Sequence, residues 1–213
     1  MKFIGLKRTL PRRYFLYGIG LVLMLLLLGA GLFLLWFKPA PKEVAVSGSN
    51  AELGTQYGQS LSLQMKLLTR VYLDRIVCQN NPKLIQTRRA KALEALRHWP
   101  AVYAEELQAM AKATGLEPGA LAYGNSFLDF GQARAGCRSV VIASTNIFLH
   151  AHNLDWDNLG GLGRWTTCIV RRRPTDGRLA TVSVGFPGLI GALDVINERS
   201  EEHTSELQSR LHL

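Results

Sequence analysis

Residues 136–157, GCRSVVIASTNIFLHAHNLDWD, decide how the chain folds. RSVVIAS and IFLHA are short β-branched or apolar runs, and Thr145-Asn146 between them is a fair turn signal. Folding back about that dipeptide predicts an antiparallel hairpin with Cys137 level with Leu154 and Asp155 across from Gly136. A one-residue slip would exchange the faces without separating these positions. The spacing thus brings a carboxylate beside the backbone joining Gly136 and Cys137, where glycine leaves the carbonyl uncrowded. A core hairpin needs neither the cysteine nor the acid. A nucleophile that must be exposed, activated and oriented needs both.

Downstream, TTCIVRR (166–172) and LATVSVG (179–185) flank RPTDGR, whose Asp176-Gly177 favours a tight turn. GLIGALDVI (188–196) reads as one more buried strand, and Arg171-Arg172-Arg173 as a solvated strand end. Upstream the periodicity is helical. Leu53, Tyr57, Leu61, Met65, Leu68 and Tyr72 form one buried stripe between positions 52 and 79. Asn80-Asn81-Pro82 breaks it, and a second helix spans roughly 83–97. A third starts near Pro100, turns Val102, Tyr103, Leu107 and Met110 inward, and closes at Thr114-Gly115. Pro118 opens a fourth toward Phe127. Helices followed by an antiparallel sheet make an α+β class.

The net charge of +9 is concentrated at the amino terminus, where seven basic residues precede the first acid, Glu43. Between Glu43 and Glu198 there are sixteen basic and thirteen acidic residues, too even a balance for a phosphate track, so no nucleic-acid partner is expected. Residues 14–37 carry no charge; as a helix they span about 36 Å, enough for a hydrocarbon core of roughly 30 Å. A basic cytoplasmic segment (1–13) precedes this anchor, with five basic residues against two just after it. That bias keeps the amino terminus in the cytoplasm and exports the remainder, to a periplasmic or extracellular location. The run exceeds the usual core of a cleaved signal peptide, and no clear small-residue cleavage site follows it, which favours an uncleaved single-pass anchor. Residues 38–51 then read as a short exposed linker. Three cysteines are too few for a disulfide scaffold. His150 and His152 share a face but lack a nearby third ligand, so no metal is expected.

The last residues break with everything before them. RSEEHTSELQS (199–209) resembles the in-frame translation of a sequencing-library adapter. The expectation is that the natural sequence departs near Glu198 and that 199–213, with His203 and His212, carries no function.

If the Gly136–Cys137 bond is cut, Cys137 becomes an amino terminus bearing both a thiol and an α-amine. Such an amine has a pKa near ~7.7–8.0 and can help generate the nucleophilic thiolate. Asp155 would hold the ammonium as the proton moves. GCRSVVIA followed by HAHNLDW resembles the N-terminal-nucleophile cysteine hydrolases, the penicillin acyltransferase, choloylglycine hydrolase and acid ceramidase relatives. YAEELQAMAKATGLEPGALAYGNSF (103–127) is similar to the propiece of the acyltransferase branch, and FPGLIGALDVINE (186–198) to its following strands.

The resemblance implies a four-layer αββα sandwich, incomplete here, with a helical propiece (52–136) and the start of the nucleophile's β-sheet domain (137–198). It implies Cys137 as nucleophile, Gly136–Cys137 as the self-cleavage point and Asp155 as the residue orienting the amine. His152 and Asn153 fall at substrate-binding positions, His152 where many relatives have arginine. Arginine can grip a carboxylate in a fork and histidine cannot, which leaves the substrate open. The family's oxyanion asparagine lies downstream of Asn197, within the adapter-like region. Loss of one such donor costs about 10²–10³ in rate, so the chain as given is expected to lack turnover. The implied activity is hydrolysis or transfer of an N-acyl amide through a thioester, without a cofactor, the two cleavage fragments remaining associated. The alternative is a membrane-anchored domain that binds a ligand or partner without catalysis.

Overall fold

The computed structural model describes residues 12–36, 40–130, 136–144, 148–155, 162–191, 193–199 and 202–204, with only the backbone at 12–15, 34–36, 128–130, 136–137, 143, 148, 154–155, 162, 164 and 202–204. The chain forms two compact units, 1–39 and 40–213. In the first, helix α1 spans Arg12–Trp36. Leu16–Phe33 within it is long and apolar enough to cross a membrane, a property a signal sequence shares.

The second unit is α+β. It begins with strand β1 (Lys42–Gly48), inside the stretch expected to be an exposed linker. The alternation of Val44 and Val46 with exposed neighbours explains the difference: both valines are buried in the core. Ser49 then caps helix α2 (Asn50–Leu67) in a capping box, accepting from the Glu52 amide while the Glu52 carboxylate accepts from the Ser49 amide at 2.7 Å. A π-helical run, Leu68–Val77, continues α2. Leu53, Tyr57, Leu61, Met65, Leu68 and Tyr72 are all buried, as their spacing predicts. Gln79 and Asn80 at positive φ end the run, and the Asn81 side chain caps α3 (Pro82–Leu96).

Helix α4 (Ala101–Thr114) ends on Gly115 in the left-handed conformation, and α5 covers Pro118–Phe130. Helices α2 and α4 meet backbone to backbone: a Cβ at Gly54 would lie 2.1 Å from the Glu106 carbonyl oxygen. The inward face of α4 differs from expectation at two positions. Glu106 is buried and Tyr103 lies at the surface.

Strands β2 (Gly136–Ala143) and β3 (Phe148–Asp155) form the expected hairpin, a separate two-stranded sheet. After the short helix α6 (Leu162–Thr166) come β4 (Cys168–Pro174), β5 (Thr181–Gly185), β6 (Asp194–Asn197) and β7 (Glu202–Thr204). The larger sheet has the order β1-β4-β5-β6-β7. It is mixed rather than antiparallel, because β1 pairs in parallel with β4. Only the end of 188–196 is strand: Gly188 has φ 91°, and the chain between it and Asp194 turns into the core through Ile190 and Leu193. The segment 202–204, set aside on sequence, lies beside β6 as an edge strand.

Val44, Val46, Cys168, Val170, Arg172 and Ser183 are buried on one face of this sheet, against α2 and α4. Asp194 pairs with Val184 in the opposite phase, and there it meets His150 and His152 of the hairpin. Helices, sheet and hairpin are therefore stacked in that order.

Candidate active site

The register of the hairpin is the one the spacing predicts. Gly136 pairs with Asp155, Cys137 with Leu154, Arg138 with Asn153, and Ser139 with His152. Opposed residues of an antiparallel pair share a face and alternate along it. Positions 137, 139, 152 and 154 thus form one row, while 136, 138, 153 and 155 form the other. The acid's position stands level with the main-chain bond joining Gly136 to Cys137, not in the cysteine's own row.

His152 is 4% exposed, and its Nδ1 lies 3.7 Å from Asp194 Oδ2. His150 Nδ1 lies 3.3 Å from Asp194 Oδ1, and the two imidazoles stack at 6.4 Å. Ser139 Oγ and His152 Nε2 are buried with no hydrogen-bond partner among the described residues. Asn153, in the other row, is exposed. No cluster of His, Cys, Asp and Glu among the described residues has the arrangement that holds a metal ion.

A second polar cluster lies on the helix side of the sheet. Arg172 donates through Nε to Glu106 Oε1 at 3.3 Å, through Nη1 to Ser183 Oγ at 3.0 Å and through Nη2 to the Leu189 carbonyl at 3.0 Å. Its guanidinium sits 5.0 Å from the Tyr57 ring centroid. The Tyr57 hydroxyl accepts from the Gly188 amide at 3.1 Å and lies 3.7 Å from Cys168 Sγ. Burial pushes the Tyr57 hydroxyl and the Cys168 thiol up, away from their charged forms. It also raises the Glu106 carboxyl, with Arg172 and then Arg178 pulling it back down. Glu106 and Arg172 also border a cleft of about 1030 Å³, with Trp99, Tyr103, Arg178 and Ser183 on its walls.

Arg172 was expected in a solvated triplet, yet it is buried between exposed Arg171 and Arg173. Period-two counting through Cys168 and Val170 would have placed it on the core face. Asp194 had a weaker signal, a lone acid inside an apolar run. Ser139 had none beyond its phase with Cys137.

The fold and site define an α+β domain whose Cys-containing hairpin packs on a helix-backed mixed sheet. Comparison with known proteins adds no relative: no protein-family model matches the chain, and no curated protein matches it.

Proposed function

We propose that the chain is an autoprocessing N-terminal-nucleophile cysteine hydrolase or acyltransferase, acting on linear N-acyl amides. The observation that carries this reading is the pairing of Gly136 with Asp155 beside Cys137. Cleavage of Gly136–Cys137 frees the α-amine; that amine accepts the thiol proton, and Asp155 holds the resulting ammonium. The thiolate of Cys137 attacks the amide carbonyl and forms a thioester, and water or an amine takes the acyl group. Asn153 and His152 are the proposed substrate-binding positions, one in each row of the hairpin. The basic amino terminus stays in the cytoplasm, α1 anchors the chain, and the nucleophile domain is exported.

The two fragments stay together because the cut falls inside one shared core. Residues before it supply β1, α2 and α4; residues after it supply β4, β5 and β6, joined through the β1–β4 ladder and the contacts of Tyr57 with Cys168 and Gly188.

Intact-mass analysis of the full chain tests the reading. Cleavage before Cys137, abolished by Cys137→Ala, is the expected result. An uncut, folded chain unreactive to thiol probes would refute it. That outcome supports the second reading, an anchored domain that binds a ligand without catalysis, which the aromatic and cationic cleft favours.

A further inference from the structure

An α-amine can activate the Cys137 thiol only after the bond before it is broken, so the first cut needs another proton acceptor. We infer that His152, with Asp194 beside its Nδ1, is that acceptor, and the inference rests on the self-cleavage reading above. Three observations on the hairpin carry it. His152 lies in the row of position 137, one pair along, because Cys137 opposes Leu154 and Ser139 opposes His152. Such diagonal neighbours are within reach of a ring-bearing side chain. His150 belongs to the same row but opposes Val141, a further pair away.

The second observation is orientation. Asp194 Oδ2 stands 3.7 Å from Nδ1 of His152, while its other oxygen stands 3.3 Å from Nδ1 of His150. A carboxylate on the Nδ1 side favours the tautomer whose Nε2 accepts protons. The third is vacancy of function at that nitrogen. His152 is 4% exposed, and its Nε2 is buried without a partner among the described residues, as is Oγ of Ser139 directly across. A buried polar atom left unpaired costs free energy and calls for a role. Among the described residues, Asp194 on β6 and His150 on β3 are the titratable groups against this imidazole.

The chemistry balances without any further reagent than water. The thiol proton of Cys137 passes to His152 Nε2, and sulfur bonds to the Gly136 carbonyl carbon. The carbon–nitrogen bond breaks, and its electron pair, taking the proton back from His152, leaves as the α-amine of Cys137. Water hydrolyses the thioester, giving the Gly136 carboxyl group and the free thiol. Thereafter the α-amine replaces the imidazole as the base.

The test follows cleavage of the full chain by intact mass in detergent. General-base removal typically costs 10²–10⁴-fold, so His152→Ala and the closer-sized His152→Gln should each slow cleavage by about 10²-fold or more. Added imidazole should restore cleavage in His152→Ala and have no effect on Cys137→Ala. Asp194→Asn should slow cleavage less than His152→Ala. A wild-type chain that never cuts sinks the self-cleavage reading itself. A wild-type chain that cuts while His152→Gln cuts equally fast overturns only the role of His152. Slow variants that imidazole does not rescue overturn it as well, because they mark a packing role.

Discussion

Tyr57 and His152 each present a buried polar group beside a β-sheet, yet their surroundings differ. Around Tyr57 the amide of Gly188, the guanidinium of Arg172, the hydroxyl of Ser183 and the thiol of Cys168 answer one another. Around His152 the partners run out: Nε2 and the opposing Ser139 Oγ have none among the described residues. Apolar burial divides the same way. Val44, Val46 and Val170 are enclosed, whereas Val140, Ile142 and Leu149 on the hairpin are 58%, 52% and 50% exposed. The helix-backed sheet encloses its polar groups in mutual hydrogen bonds, whereas the hairpin, largely exposed on its apolar side, has the features of a region that opens locally.

The sharpest way to break this contrast is to unpair the buried charge. Arg172→Met leaves Glu106, 1% exposed, without its cation and should cost about 3–5 kcal/mol at neutral pH by denaturant unfolding. The loss should shrink on acidification. Burial raises the Glu106 carboxyl, so its favourable protonated form is complete below the ordinary glutamate range and is lost as pH rises through the raised value. A deficit in Arg172→Met that stays constant across that window would contradict the assignment.

Tyr57→Phe strips the acceptor from the Gly188 amide and should cost about 1–3 kcal/mol in the same assay. Ser49→Ala, which removes the α2 cap, should cost about 1 kcal/mol. Val140→Thr on the hairpin should change global stability by less than about 0.5 kcal/mol. If Val140→Thr matched Tyr57→Phe, hairpin and sheet would unfold as one unit and the contrast would fail. Thiol labelling supplies an independent reading: Cys78 and Cys168, both buried, should stay unmodified in the native chain while Cys137 reacts.

The hairpin register and the α2 stripe were legible in the sequence because each is a local pattern with a single period. Thr145-Asn146 centres the one, and Leu53 to Tyr72 at helical spacing marks the other. What escaped was long-range. Nothing near Val44 and Val46 announces that they will pair with a strand more than a hundred residues later, so β1 read as a linker. Arg172 and Glu106 are buried because each provides for the other, a reciprocity that no single-residue propensity carries. Asp194 belongs to the same kind: its meaning comes from two histidines on another sheet.

The parallel seam between β1 and β4 has one more consequence. It stitches the stretch just beyond α1 to a strand beyond the Cys137 hairpin, with seven residues in register. If the bond before Cys137 is cut as proposed, that seam and the core beneath it hold the two pieces together. Separating the two pieces would then take shear along the strands.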